Sequence, residues 1–247
     1  MRNVPRMHIP SITKDREVLC SITTPKENGS AAFWRAALDD AIRLGLGRFA
    51  LFLTGIDAGE RRAYYRFLRQ RRRLHAFAIP FVHARSDMRP DEYRLLMSEF
   101  GTERFNLHPL REYPLAHELP EDLRAVTYIE NLLEEMRDSD YEGFAGACLD
   151  LAHLEQVRRT DPQVQRSLET LLERIPIGAN HIGAFEPDRS GAPATRHRHW
   201  FESMRDFDYL KQVPLRHFGR FVAIEVCNPI ADQIRVKTML DRHLASL

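Results

Sequence analysis

The chain has 247 residues, 43% apolar and 29% charged, with a formal net charge of +1. The length suits one (β/α)8 barrel spanning residues 1–247. The near-zero charge gives no global pull toward nucleic acid or an acidic membrane. No apolar run reaches transmembrane length, and the Met1–Pro5 start lacks the apolar core of a signal peptide, so a cytoplasmic protein without a membrane partner is expected. The lysines are Lys14, Lys26, Lys211 and Lys237, and only Lys26 comes near a strand tip, which disfavours Schiff-base chemistry. Cys20, Cys148 and Cys227 lie in apolar strand-like runs and read as buried thiols in a reducing compartment.

Strand-like and helix-like segments alternate along the chain. Val18–Ile22 is apolar and β-branched. Ser30 is placed to cap a helix over Ala31–Leu44, which Gly45 and Gly47 stop. Phe49–Leu53 reads as the second strand. Asp57 and Glu60 have capping-box spacing and open an Arg-rich helix to Arg72. Ala76–Val82 reads as the third strand, with Pro80 awkward near its end, and Pro90 fits the first turn of a helix to Phe100. Phe105–Leu107 is a short fourth strand. Pro109–Asp122 carries three prolines and no helical pattern, so the fourth β/α unit is expected to be irregular. Ala125–Ile129, Gly146–Leu149, Ile177–Ile182 and Phe221–Val226 complete eight strands. Helices are expected over Pro162–Glu173, with Asp161 as cap, over Trp200–Gln212 and over Ile230–Ser246. The alternation argues for a parallel α/β fold, a (β/α)8 TIM barrel. Neither a Gly-rich dinucleotide turn nor a Walker loop is present to favour an open sheet.

Four apolar runs in the second half end on a polar group: Glu130, Asp150, His181 and Glu225. A buried strand that delivers one charge at its tip is what a parallel barrel needs to build a metal site, because all C-terminal strand ends face one mouth. Three carboxylates and an imidazole suit Mn, Mg, Zn, Co or Fe as a divalent ion. His83, His108 and His153 sit at matching places. Any one of these residues alone reads as an exposed loop or ion-pair group, but strands three to eight all end in Glu, Asp or His.

With these tips in view, the sequence resembles the xylose isomerase-like barrel superfamily, which holds sugar and sugar-phosphate isomerases, ketose 3-epimerases, inosose-processing enzymes and endonuclease IV-type nucleases. The resemblance runs from about strand three to strand eight. It is carried by Ile-Glu-Asn at 129–131, Leu-Asp-Leu-Ala-His at 149–153, His181 and the Glu225 strand. It implies that Glu130, Asp150, His181 and Glu225 are metal ligands and that His153 touches substrate or a second metal. His83 and His108 stand where the nucleases carry extra histidines. The nucleases' Asp-Arg-His segment is here Thr195-Arg196-His197, so its aspartate is missing, and His199 is a spare candidate.

Two reactions follow. An isomerase or epimerase of a small polyhydroxylated carbonyl compound would use Glu130 and Glu225 as the acid–base pair. An endonuclease IV-like phosphodiesterase would use several metals, with His83 and His108 as ligands. A barrel that binds a metal or partner without turnover is the third reading. The Arg61–Arg73 run lies on an outer helix and reads as a solvated face, and the mouth loops carry mixed charge, so a small-molecule substrate is expected over nucleic acid. The segment Phe185–His199 is long for a crossover loop and is expected to fold over the mouth, bringing Arg196, His197 or His199 to the substrate.

Overall fold

The computed structural model describes residues 16–24, 31–186 and 196–246. In chain order its elements are β1 (Glu17–Leu19), β2 (Ser21–Ile22), α1 (Ala31–Arg43), β3 (Ala50–Phe52), α2 (Ala58–Arg72), β4 (Phe81–His83), α3 (Pro90–Phe100), β5 (Arg104–Leu107), α4 (Glu121–Arg124), β6 (Thr127–Glu130), α5 (Asp138–Tyr141), β7 (Ala147–Asp150), α6 (Leu151–Thr160), α7 (Pro162–Leu172), β8 (Ile177–Ile182), β9 (Ala184–Phe185), β10 (His197–Arg198), β11 (Phe221–Ile224) and α8 (Ile230–Ser246). Nine strands form one parallel sheet in the order β1-β11-β8-β7-β6-β5-β4-β3-β2. Because β1 and β2 are two pieces of one segment parted only by Cys20, the sheet is nearly closed into a barrel. This is the α/β TIM barrel expected from the alternation of elements.

The seam lies where Ser21 has left β11. There the buried Gln233 side chain of α8 takes over the ladder: Ser21 N–H donates to its Oε1 (2.7 Å), and its Nε2 lies 3.1 Å from the Ser21 carbonyl and 3.1 Å from that of Asn228. Unpaired backbone groups at this depth would each forfeit a hydrogen bond.

The period of two along a strand sorts the side chains into two sets. Leu19, Ala50, Phe52, Phe81, Tyr128, Cys148, Ala179, Phe221 and Ala223 form one buried cluster inside the barrel. Their neighbours, such as Leu51, Val82, Ile129, Leu149, Ile182 and Val222, pack in the larger cluster under the helices. Two residues further along the inward register, Phe81 gives way to His83, Tyr128 to Glu130, Cys148 to Asp150, Ala179 to His181 and Ala223 to Glu225. Strand geometry therefore raises a polar layer directly on the apolar floor.

Several expectations are corrected. The third strand begins after Pro80, at Phe81, and not at Ala76. Pro80 cannot donate to the ladder, and its carbonyl instead accepts from Glu103 and Arg104 (2.9 and 3.1 Å). Residues Met204–Gln212 form a 3-10 helix, so no α-helix spans Trp200–Gln212. The fourth crossover is irregular as expected, with only the four-residue α4, but the fifth is equally reduced, to α5. Helix α6 was not foreseen; it starts on the residue after β7, because Asp150 ends the strand and caps the helix at once. The α2 arginines are not one solvated face. Arg61 is fully buried, with its guanidinium 2.9 Å from Glu92 and 3.1 Å from Asp87. Ser30, Lys26 and the middle of the Phe185–His199 segment lie outside the described residues.

Candidate metal centre

Glu130, Asp150, His181 and Glu225 meet at the mouth formed by the C-terminal ends of β6, β7, β8 and β11. Each offers one ligand atom, and the four atoms lie within 4.8 Å of one another. His181 Nδ1 is 3.3 Å from Glu130 Oε2 and 3.2 Å from Glu225 Oε2. A second set, His83, His108 and Glu130, meets the same criterion and shares Glu130 with the first. His83 Nε2 stands 2.9 Å and His108 Nε2 3.8 Å from Glu130 Oε2.

Local structure explains how each group is held. Asn106, on the inward register of β5, donates to Glu130 Oε2 (2.9 Å). Asn131 clamps β6 to β7: its Oδ1 accepts from Asp150 N (2.7 Å) and its Nδ2 donates to the Asp150 carbonyl (3.2 Å). Asp150 Oδ1 caps α6 by accepting from Ala152 and His153 N–H groups (2.7 and 2.9 Å), which leaves Oδ2 toward the site, 3.6 Å from His153 Nδ1. The His181 ring rests on Phe52 and Phe81, at centroid distances of 4.8 and 5.9 Å.

The electrostatics follow from this packing. Burial disfavours the ionised form of Glu130, but His181 and His83 outweigh it and hold its pKa well below the usual carboxylate value. Partial burial likewise disfavours ionisation of Glu225, but His181 brings its pKa down to about 2. Burial opposes charge on His181, while Cys148 and the two glutamates hold its pKa well above 6.5. Burial takes His108 down to about 4. The residues present fit a divalent cation on a separate observation. His181 is completely buried, yet neither ring nitrogen makes a hydrogen bond, and His83 Nε2 is also left without one. Buried polar atoms are normally satisfied, so His181 Nδ1 and His83 Nε2, which face carboxylates and remain unbonded, suit a cation's coordination shell.

The remaining predicted residues surround this centre unevenly. His153 Nδ1 is 3.0 Å from the Asn131 carbonyl, and its Nε2 is 3.3 Å from His197 Nε2. His197 is held in turn by Gln156, whose Oε1 is 2.8 Å from Nδ1. His199 Nδ1 lies 3.9 Å from Glu225 Oε1. Both histidines arrive on or next to β10, which pairs antiparallel with β9. Arg196 is exposed, and its carbonyl accepts from Glu186 N (3.2 Å). Asn106, Asn131 and Gln156 were missed as supports. Asn131 stood inside the Ile-Glu-Asn run, and Asn106 is two residues before His108 on the same face, so both carried a signal.

Scans of the sequence against protein-family models and curated proteins return no match. Among solved structures, the barrel is similar to a xylose isomerase domain protein from Alicyclobacillus acidocaldarius subsp. acidocaldarius, with a TM-score of 0.53, 13% identity, and 93% of this chain and 99% of that chain covered. A looser likeness, with a TM-score of 0.43 and 12% identity over 93% of this chain and 97% of that one, is to the probable 3-DHS dehydratase AsbF of Bacillus anthracis, involved in petrobactin synthesis. No helix among the described residues is long and apolar enough to cross a membrane. The likeness shows the fold: a parallel α/β barrel similar to that of this xylose isomerase domain protein.

Proposed function

We propose that this chain is a divalent-metal-dependent isomerase or epimerase acting on a small sugar or other polyhydroxylated carbonyl compound. The observation that carries the reading is the meeting of Glu130, Asp150, His181 and Glu225 at one mouth, with both nitrogens of the buried His181 unbonded. These four residues would hold the ion. A bound divalent cation supplies Lewis-acid stabilisation of negative charge on two adjacent substrate oxygens. Glu130 and Glu225 belong to different strands, and each presents an ionised carboxylate, the form a base needs. Glu225 is the more accessible, 14% exposed against 2% for Glu130, and is the one we assign to take the proton from substrate. Glu130, fixed by Asn106, returns it. His83, His108, His153, His197, His199 and Arg196 are assigned to substrate contact around the mouth. The free buried thiols Cys20 and Cys148 fit a reducing, cytoplasmic setting.

The test is solvent proton exchange at the substrate carbon across a panel of ketoses. Glu225→Gln should abolish exchange while substrate still binds. Exchange at the wild-type rate in that variant would remove Glu225 as the base.

One observation favours a second reading, a multi-metal phosphodiesterase of the endonuclease IV kind. The two donor sets share Glu130, as a carboxylate bridging two ions would. Under that reading more than one ion binds per chain, His108→Ala loses one, and an abasic-site duplex is cleaved catalytically. A chain that binds one ion and leaves such a duplex intact fits the isomerase reading.

A further inference from the structure

His181 has two buried nitrogens and two different surroundings. Nδ1 faces the carboxylates of Glu130 and Glu225, at 3.3 and 3.2 Å. Nε2, at the other end of the ring, is buried without a hydrogen bond. The layer beneath the ring is the interior cluster of Leu19, Ala50, Phe52, Phe81, Tyr128, Cys148, Ala179, Phe221 and Ala223. Cys148 contributes a sulfur to that layer from the inward register of β7, the strand that pairs with the His181 strand. The register sets its position. β7 pairs with β8 so that Asp150 is opposite His181 and Cys148 is opposite Ala179, one inward step below. Cys148 is itself completely buried.

A histidine that gives one nitrogen to a metal ordinarily donates the other N–H to a carboxylate, carbonyl or water, which fixes ring orientation and tautomer. Among the described residues no oxygen does that for His181. We propose that Cys148 is the positioning residue of this centre: its sulfur receives the Nε2–H of His181 and so keeps Nδ1 turned toward the ion. The inference rests on the metal reading above for its functional consequence, though not for the contact itself. Sulfur is a weak acceptor, so the orientation comes as much from the fit of the ring between Phe52, Phe81 and the thiol as from the bond. A serine hydroxyl preserves an acceptor at this place, whereas alanine removes it and leaves Nε2–H buried and unpaired.

Two measurements test this on the full chain. The first is divalent-ion affinity, titrated with Mn or Zn, in wild type, Cys148→Ala and Cys148→Ser. Loss of an outer-shell partner costs about 10- to 100-fold in metal affinity, so Cys148→Ala should bind at least tenfold more weakly and Cys148→Ser should recover most of that loss. Equal affinity in all three overturns the proposal. So does an equal loss in both variants, which would mark a packing role. The second is the nitrogen-15 spectrum of His181 in the metal-free protein. The Nε2–H resonance should shift in Cys148→Ala, and a resonance unchanged by that substitution overturns the contact. A wild-type chain that takes up no divalent ion would instead remove the metal reading, and the spectrum would then still decide whether Cys148 holds the ring.

Discussion

The two ends of the barrel hold their charged groups in different ways. At the N-terminal end opposite charges are tied into a network. Arg48 reaches Glu17 (2.6 Å) and Glu103 (3.2 Å), and Arg220 reaches the other oxygen of Glu103 (2.7 Å). Packing there leaves no slack: a Cβ on Gly178 would stand 2.0 Å from the Tyr128 ring, and one on Gly219 would stand 2.5 Å from the Ala179 nitrogen. Asn180, buried near that end, donates to the Leu149 and His217 carbonyls and accepts from Gly219 N–H. At the C-terminal end, carboxylates and imidazoles crowd together with His83 Nε2 and His181 Nδ1 unbonded among the described residues. Groups that are satisfied stabilise, whereas groups held close yet unsatisfied are kept ready for something from outside.

That contrast can be broken first by pH. His181 keeps its proton well above the usual histidine pKa, against the burial that opposes it, because Cys148, Glu130 and Glu225 surround it. An incoming cation must displace that proton. Below the raised pKa, metal affinity should therefore fall by up to about tenfold per pH unit and rise again as pH increases. Calorimetry in buffers of different ionisation heat should detect about one proton released per ion. Uptake without proton release would mean His181 is not a ligand.

The packed end should respond to volume alone. Gly178→Ala forces a methyl into the Tyr128 ring and should cost at the upper end of about 1–3 kcal/mol, with metal affinity intact in whatever folds. Thermal melting reads the first effect and titration the second, and a variant as stable as wild type would show that Tyr128 has room to move.

Arg61 sharpens the comparison, because it sits at the functional end, near the start of α2, and is nonetheless fully paired. Arg61→Met should destabilise by about 3 kcal/mol, toward the low end for breaking a buried pair, since Asp87 is 37% exposed and can stay hydrated. Arg85 and Arg61 hold the Asp87 pKa below its ordinary value despite the burial that would raise it. Its folded pKa being depressed, its contribution is present above the unfolded carboxylate pKa of about 3.9 and is lost as pH falls below it. Urea unfolding of wild type and Arg61→Met should therefore draw together as pH falls from about 4 through the lower folded pKa of Asp87. The smallest effect belongs to the exposed pairs: Glu103→Ala should cost under about 1 kcal/mol, shrinking as salt is added. A larger, salt-independent loss would show that the network at that end is part of the closed seam.

The sequence exposed the functional end more plainly than the rest. Short apolar runs that stop on Glu130, Asp150, His181 and Glu225 are visible because inward-facing residues alternate with helix-facing ones, and the first polar residue on the inward register marks the top of the floor. The crossovers were harder. Helix α6 was hidden because Asp150 serves as strand end and helix cap with no loop between. The buried state of Arg61 was hidden because its partners, Asp87 and Glu92, come from other elements, and an arginine-rich helix looks solvated until they arrive. The late start of β4 was signalled by Pro80, whose missing N–H outweighed the apolar pattern before it. Contacts such as Asn106 to Glu130 depend on register between strands, which a single strand's sequence does not reveal.

The central claim is that Glu130, Asp150, His181 and Glu225 hold one divalent cation. Equilibrium dialysis to count ions per chain, joined to anomalous scattering from crystals grown with Mn or Zn, tests it most directly. The account predicts a strong peak within about 2.0–2.3 Å of a donor atom from each of the four residues. An ion-free mouth at saturating metal, or a peak held by other side chains, would contradict it.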